Sequence, residues 1–223
     1  MKSVHRAAWA ALLWLLPTPL QAEGSLAWDE AFPTAAAPRT VYFRADYRDG
    51  FGNGHQLQVW RDSDRRLRRR TDARIDLLVE RNDDGEYGYR VLDHAQGTVI
   101  RADRTVLYRI GIFSDWRGLA HVLDRPRGPY RIARADPEAA SMPQGRCDWY
   151  RLDVNSPSQA ARVCWSMHWG VPLAIEAPTS EGGWARQFTV EDIREFEPDS
   201  RIFDVPQDGL LQVDADPGSD SVD

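Results

Sequence analysis

The chain has only two cysteines, Cys147 and Cys164, among its 223 residues. A structural zinc site usually needs four thiol or imidazole ligands, so this number argues against zinc. The pair also lacks the C-x-x-C spacing that is typical of dithiol redox sites. A copper site with Met167 and His168 is disfavoured as well, because neighbouring residues of one strand point to opposite faces. A structural disulfide is the remaining expectation, and it depends on the compartment.

Long apolar runs are also missing, apart from residues 7–16 near the start of the chain. That run is too short to cross a bilayer, and no later stretch approaches the required length. Lys2 and Arg6 precede the run, and a Leu-Gln-Ala ending closes it at Ala22. This pattern predicts a secretory signal peptide over residues 1–22. Because Glu23 and not cysteine follows, we expect an exported, soluble protein without a lipid anchor, in which two cysteines usually pair.

A basic excess is absent. The formal net charge is −6 at pH 7, and it falls to −8 once Lys2 and Arg6 leave with the signal peptide. This balance argues against nucleic acid as a general partner. A mature chain of about two hundred residues suits one domain with a sizeable core, and a second full domain would be hard to accommodate.

Catalytic motifs are not found either. The sequence has no G-x-S-x-G elbow, no H-E-x-x-H pair and no glycine-rich phosphate loop. The NDDGE stretch at residues 82–86 lacks the spacing and the final glutamate of a calcium loop, and a tight turn explains it better. We therefore expect no enzymatic activity, no cofactor and no metal site.

Period-two alternation dominates what is present. In RTVYFRADYR, Val41, Phe43, Ala45 and Tyr47 share one face, and the following DGFGNG is a turn. Turn signals recur at short intervals along the rest of the chain, as in an antiparallel sheet or barrel. The further predicted strands are HQLQVWR, RRLRRR, RIDLLVER, EYGYRVLD, TVIRAD, PYRIAR, the cysteine hairpin, VPLAIEA and WARQFTVEDIREFE.

One amphipathic helix is predicted in FSDWRGLAHVLDRP, with Ser114 as its cap and Pro126 at its end. Its apolar stripe consists of Trp116, Leu119, Ala120 and Leu123. A helix with one apolar stripe must cover something, here the sheet. The expected fold is therefore mainly β (α+β), a curved antiparallel sheet that forms an unclosed barrel capped by one or two helices.

The two cysteines flank a turn at NSPSQA, which predicts a β-hairpin. If Cys147 lies directly opposite Cys164, alternation divides the hairpin into an apolar face and a more polar face. The apolar face collects Tyr150, Leu152, Val154, Ala161, Val163, Trp165 and Met167. The other face collects both cysteines with Trp149, Arg151, Arg162, Ser166 and His168. The disulfide is thus predicted to lie opposite any ligand-holding interior.

The ends of the mature chain have little pattern. Residues 23–38 form an N-terminal arm or one short helix, and residues 39–206 form the barrel domain. The acidic segment 207–223 has no aromatic residues, and we expect it to be disordered.

Late in the chain, GVPLAIEA followed by GGWARQFTVEDIREFEPDSRIFDVPQDG resembles the end of proteins of the LolA-like superfamily, the periplasmic lipoprotein carriers and related outer-membrane lipoprotein-sorting-like proteins. The matching residues are Gly170, Pro172, Leu173, Val190, Ile193, Pro198, Phe203, Pro206 and Gly209. The resemblance implies a periplasmic half-open barrel that binds or carries a lipid or acyl chain without enzymatic chemistry. Related barrels serve as sensor domains, so an envelope regulatory or interaction module that binds another protein is the alternative. The chain departs from the lipoprotein carrier itself in its cysteine pair and in lacking a clear long helix before the first strand.

The candidate ligand-binding residues each fall on an apolar face by alternation or by helical spacing. They are Phe43, Tyr47, Trp116, Leu119, Leu123, Trp165, Met167, Trp184 and Phe188. Periodicity alone does not distinguish a ligand cavity from a filled core.

The only dense basic run contains Arg65, Arg66, Arg68, Arg69 and Arg70. Such a run can meet phosphate head groups or an acidic partner. The simpler interpretation, which we favour, is a solvated hairpin whose guanidiniums pair with Asp62, Asp64, Asp72 and Asp76.

Overall fold

The computed structural model describes residues 25–102, 115–136, 139–154, 156–204 and 208–214. These residues form one large, curved sheet that does not close into a barrel, with three short helices against it. The predicted fold class is therefore confirmed. In the described part of the chain, no helix has both the length and the apolar character needed to cross a membrane. The predicted signal peptide lies outside the described residues.

The strands follow the period-two segments closely. Their bounds are β1 Thr40–Arg48, β2 Gly54–Asp62, β3 Arg66–Thr71, β4 Ile75–Arg81, β5 Tyr87–Asp93, β6 Thr98–Ala102, β7 Tyr130–Arg134, β8 Ala140–Met142, β9 Gly145–Val154, β10 Ser156–Ser166, β11 Val171–Pro178, β12 Trp184–Arg194 and β13 Leu211–Asp214. The helices are α1 Trp28–Ala31, α2 Trp116–His121 and α3 Ser200–Phe203. The main sheet has the order β13-β6-β5-β4-β3-β2-β1-β12-β11-β10-β9-β7, and β8 pairs with β9.

Strand β13 corrects the prediction for the C-terminal segment. Residues 211–214 were expected to be disordered, but they pair in parallel with β6, with Leu211 beside Thr98 and Val213 beside Ile100. The physical reason is that β6 offers an edge of unpaired backbone groups, which a short segment with alternating apolar residues can satisfy. Residues 205–207 and 215–223 lie outside the described residues.

The two faces of the sheet have different roles. The inner face carries Val41, Phe43 and Ala45 of β1, which belong to a buried cluster that also contains residues of helix α2. Cross-strand pairing extends this face through Val59 of β2 and onward to β6. Other buried members of the cluster are Leu57, Leu67, Val79, Tyr89, Leu119, Ala120, Phe188 and Val190. In strands β1 to β6, the face opposite the inner face is called the outer face.

Hydrogen bonds from a buried arginine hold the C-terminus of helix α2 against the inner face. Arg61 is 3% exposed, and its guanidinium donates hydrogen bonds to the Ala120 carbonyl at 3.3 Å and to the Pro38 carbonyl at 3.3 Å. The helix is capped by Asp115, whose carboxylate accepts from the Gly118 amide at 2.8 Å. Asp115 therefore takes the role predicted for Ser114, which lies outside the described residues. The acidic side chain binds an amide that the helix leaves unpaired.

The N-terminal segment covers the other end of the sheet. Trp28 and Phe32 of the α1 region form a second buried cluster with Tyr150 and Trp165 of the cysteine hairpin. The Trp165 indole donates to the Pro33 carbonyl at 3.1 Å. The segment predicted as an arm or a short helix thus contains one helical turn, and its aromatic side chains fix it to β9 and β10.

Cys147 and Cys164 form the predicted disulfide, with a Cα–Cα distance of 5.3 Å. The predicted register is wrong, because Cys164 lies opposite Trp149 and the last pair of this ladder joins Trp165 to Asp148. Cys147 lies beyond that pair. The displacement is two residues, an even number, so the division into two faces is unchanged. Both cysteines are nevertheless buried, at 2% and 0% exposure, in the same cluster as Phe43 and Phe188. The disulfide is therefore not separated from the inner-face cluster, which corrects the prediction that it lies away from the interior.

Candidate functional site

The inner face is filled at one end and partly open at the other. Beneath helix α2, Phe43 and Val59 are 1% and 0% exposed. In the same cross-strand row, further from β1, Leu77 and Val91 are half-buried and Ile100 is 37% exposed. The row continues to Val213 of β13, which is 41% exposed. We call Leu77, Val91, Ile100 and Val213 the apolar row.

The apolar row is a surface on which a hydrophobic ligand can lie. Its four side chains come from four adjacent strands, β4, β5, β6 and β13, and therefore form a continuous apolar strip. Strands in a sheet are about 4.8 Å apart, so the strip is roughly 14 Å long from Leu77 to Val213. Burying such a strip against an acyl chain stabilises the complex by the hydrophobic effect.

Arg69 marks the boundary between the filled part of the inner face and the apolar row. It lies opposite Val59 on one side and Leu77 on the other. Its guanidinium therefore lies between two aliphatic side chains. Among the described residues of the cross-strand row from Phe43 to Ile100, Arg69 is the one cationic residue.

Four of the predicted ligand-binding residues contribute to the core in this structure. Phe43, Leu119 and Phe188 belong to the inner-face cluster, and Trp165 belongs to the cluster around helix α1. All four are less than 8% exposed and are therefore part of the packed core.

Three others are partly buried. Trp116 stacks on Tyr87 with ring centroids 4.9 Å apart, and Tyr47 packs against the inner-face cluster. Leu123 packs against the cluster around α1. It was predicted to lie in the helical stripe, but the helix ends at His121 and Val122 adopts a left-handed conformation, so Leu123 follows the helix.

Met167 and Trp184 do not lie where alternation places them. Strand β10 ends at Ser166, and Met167 is 46% exposed in the turn that follows. Trp184 was predicted to share a face with Phe188, but β12 has an irregularity in its pairing with β11: Phe188 pairs with Ile175 and Arg186 pairs with the next residue, Glu176. The additional residue reverses the alternation.

As a result, Trp184 lies among cationic side chains on the face opposite Phe188. The guanidiniums of Arg162 and Arg151 lie 5.7 Å and 5.9 Å from the centroid of its ring. Trp149 on the same face lies 4.9 Å from the Arg162 guanidinium. Trp184 therefore belongs to a layer of arginines and tryptophans and not to the candidate ligand site.

A polar cavity of about 490 Å³ lies at the turn end of β1 and β2, beside Tyr47 and Phe188. His55 contacts Asp72 through Nδ1 at 2.6 Å and Asp49 through Nε2 at 3.3 Å. The hydrogen bond with Asp72, followed by that with Asp49, raises the pKa of His55. This cluster joins two turns of the sheet, and its ring nitrogens are already occupied by the two carboxylates.

The basic run of β3 is largely neutralised on the outer face. Arg66 pairs with Asp62 at 2.8 Å, and Arg68 and Arg70 both pair with Asp76 at 2.9 Å. Helix α3 covers part of it. These three pairs agree with the pairing expected from the sequence, but the expectation of a solvated hairpin is wrong here, because the side chains of Arg68 and Asp76 are 11% and 0% exposed.

The remaining expected pairs differ. Asp64 binds Arg81 at 2.7 Å, and Asp72 binds His55. Arg65 is exposed, and Arg69 lies on the inner face. In the described ranges, no group of three or more histidine, cysteine, aspartate or glutamate side chains is arranged to hold a metal ion.

The open part of the inner face was missed from the sequence, although a signal exists. In RIDLLVER, the alternation of Ile75, Leu77 and Val79 indicates one apolar face of the strand. Leu78 places a further apolar residue on the opposite face, so the sequence does not show which face points inward. The pairing of β4 with β3 and β5 resolves this ambiguity, and no single-strand pattern contains that information.

No protein-family model matches the chain, and the search of curated proteins found no match. Solved structures do have similar folds. An uncharacterized conserved protein from Thermus thermophilus superposes with a TM-score of 0.52 at 8% identity, over 81% of this chain and 91% of that chain.

Two further structures are more remote. The MucA/MucB complex structure from Pseudomonas aeruginosa gives a TM-score of 0.43 at 12% identity, over 78% of this chain and 58% of that chain. A putative outer membrane lipoprotein-sorting protein domain from Vibrio parahaemolyticus gives 0.29 at 11% identity, over 70% of this chain and 84% of that chain. Of these three structures, the Thermus protein indicates a shared fold, and its likeness carries no functional information.

Proposed function

We propose that this protein is a periplasmic, non-enzymatic member of the LolA-like superfamily that binds or carries a lipid or acyl-chain ligand on the inner face of its half-open sheet. The observation that supports this proposal most directly is the apolar row, which stays partly exposed while Phe43 and Val59 in the same cross-strand row are buried. The half-open architecture and the residue phrases around Gly170, Pro172 and Leu173 support the family assignment. The N-terminal apolar run supports export.

Hydrophobic burial supplies the driving force. An acyl chain contributes about 0.8 kcal/mol for each buried methylene, before the costs of association. The apolar row can receive such a chain along its length.

A pair of matched variants tests the proposal. Ile100→Asp places a carboxylate in the apolar row, whereas Phe51→Asp changes a side chain that is 94% exposed in the β1–β2 turn. Titration with a fluorescent acyl probe should show that Ile100→Asp weakens binding by roughly tenfold or more, since a large apolar contact is lost. Phe51→Asp should bind like the unsubstituted protein. Equal binding by both variants, or no binding by the unsubstituted protein, contradicts a ligand on the apolar row.

The competing proposal is an interaction module that binds another envelope protein. Arg65 is the exposed member of the arginine run, whereas Arg66, Arg68 and Arg70 are already paired. Charge reversal for a pull-down from envelope extracts should therefore be made at Arg65. A stoichiometric partner that is lost in Arg65→Glu, together with an absence of acyl-probe binding, would favour the interaction module over the carrier.

A further inference from the structure

Arg69 differs from the other arginines of strand β3 in the face that it occupies. Arg66, Arg68 and Arg70 alternate onto the outer face, where Asp62 and Asp76 bind them. The odd-numbered position places Arg69 on the inner face, directly opposite Val59 and Leu77. One short strand thus carries three paired cations on one side and a single cation among aliphatic side chains on the other.

Among the described residues, the guanidinium of Arg69 has no counterpart comparable to Asp76. Across the described residues, no side chain forms a hydrogen bond or an ion pair with it within 4.0 Å. Burial lowers the pKa of Arg69, while electrostatic interactions with Tyr47 and Asp124 oppose this effect. A partly buried cation without a contacting anion is costly for a folded protein. Its retention is explained if an anion from outside the chain completes the site.

The surroundings of Arg69 specify what that anion is attached to. On the β2 side, Val59 and Phe43 are fully buried, so the ligand does not extend in that direction. On the β4 side, the apolar row leads from Leu77 to the partly exposed Ile100. The distance from Arg69 to Ile100 is three strand spacings, roughly 14 Å. A head group at Arg69 and a linear apolar tail along the row match this arrangement.

We propose that Arg69 binds the anionic head group, a carboxylate or a phosphate monoester, of a single-chain amphiphile whose tail lies along Leu77, Val91 and Ile100. The planar guanidinium presents parallel N–H donors that match either anion. This inference rests on the proposed function and narrows its ligand class from any hydrophobic molecule to an anionic amphiphile.

The test compares three probes that share a twelve-carbon chain: dodecanoate, dodecyl phosphate and dodecanol, each titrated into the full mature chain at neutral pH. The variant is Arg69→Met, which keeps the length of an apolar stem and removes the charge. Arg65→Met is the matched control, because Arg65 is exposed at the start of the same hairpin segment. Arg69→Gln is the second variant, in case methionine alters the packing, and thermal unfolding of every variant is measured in parallel.

The unsubstituted protein should bind an anionic probe on the order of ten- to hundredfold more tightly than dodecanol, as a charge-assisted hydrogen-bond pair allows. Arg69→Met and Arg69→Gln should abolish this preference and leave the affinity for dodecanol unchanged or increased, while Arg65→Met retains the preference. A stronger response to dodecanoate identifies a carboxylate head group, and a stronger response to dodecyl phosphate identifies a phosphate.

Two results overturn the inference in distinguishable ways. If dodecanol binds as tightly as the anionic probes, or if the preference survives in both Arg69 variants, Arg69 does not select the head group although the acyl-binding function stands. If none of the three probes binds the unsubstituted protein, the inference and the proposed function fail together.

Discussion

Replacement of Asp76 by asparagine should cause a large loss of stability that originates on the outer face. The Asp76 side chain is fully buried, and its two oxygens accept hydrogen bonds from Arg68 and Arg70 at 2.9–3.3 Å. His94 contacts the same carboxylate through Nε2 at 2.8 Å. Arg68 also donates to the carbonyl of Ile202 in helix α3 at 2.8 Å, so the network connects β3 and β4 to the C-terminal segment.

Two considerations give the magnitude. Burial raises the pKa of Asp76, but the hydrogen bonds from Arg70, Arg68 and His94 outweigh it and lower that pKa to about 2. Relative to an ordinary aspartate, this shift corresponds to about 2 kcal/mol in favour of the charged form. Removal of the charge leaves the guanidiniums without their counterion, and breaking a buried pair typically costs about 3–5 kcal/mol. We expect Asp76→Asn to lower the free energy of unfolding by about 3 kcal/mol.

Chemical denaturation, followed by far-UV circular dichroism, measures this loss. The control is Asp64→Asn, because Asp64 has a side chain that is 61% exposed and pairs with Arg81, which is also largely exposed. Exposed pairs contribute about 0–1 kcal/mol. If Asp76→Asn costs no more than Asp64→Asn, the assignment of this network as a stabilising centre is wrong.

The pH dependence of Asp76 has a defined sign. Its folded-state pKa lies below its ordinary value, so the stabilisation is present above about pH 4. It is lost as the pH falls through about 2, where the folded protein takes up the proton.

Three further outcomes are expected. Replacement of Cys147 and Cys164 by serine should lower the free energy of unfolding by about 3 kcal/mol and leave acyl-probe affinity unchanged where the variant is folded; free thiols in the oxidised protein would contradict the pairing. Burial, and then the charge of the neighbouring Arg61, lowers the pKa of His121 from 6.5 to about 3. Between these two pH values the unfolded chain binds a proton that the folded protein does not, so the free energy of unfolding falls by about 1.4 kcal/mol for each pH unit of acidification. His121→Asn should remove this contribution from unfolding curves measured between pH 4 and 6.5, and an unchanged slope would refute the assignment. Gly170→Ala should destabilise by about 1–3 kcal/mol more than Gly182→Ala, because both glycines have positive φ but only the new Cβ at Gly170 lies 2.8 Å from a neighbouring Cβ; equal costs in thermal unfolding would contradict this steric argument.

Much of the fold could be predicted from the sequence because its strands are half-buried and therefore alternate clearly. The ten predicted strand segments, with the cysteine hairpin counted as one, all contain strands of the sheet. The short strands β8 and β13 were missed, since three or four residues are too few for a periodic signal. The disulfide followed from composition and compartment, but the register did not, because a bridge can join residues that are not directly opposite.

The candidate site was predictable only in part. Alternation correctly distinguishes Arg69 from Arg68 and Arg70, but it does not reveal which face is enclosed, because that depends on the pairing of distant strands. Trp184 was assigned to the wrong face because a one-residue irregularity in β12 reverses the alternation and leaves no mark in the sequence. Phe43 was recognised as inward-facing, yet its complete burial depends on the position of helix α2.

Native mass spectrometry of the mature protein, purified from a periplasmic extract without detergent, tests the central claim most directly. The account predicts a bound species that dissociates on collisional activation to give the mass of a lipid or a fatty acid. It also predicts that this species is depleted in Ile100→Asp and retained in Phe51→Asp. Repeated preparations that are free of lipid, from protein that also fails to bind an acyl probe, would contradict the claim.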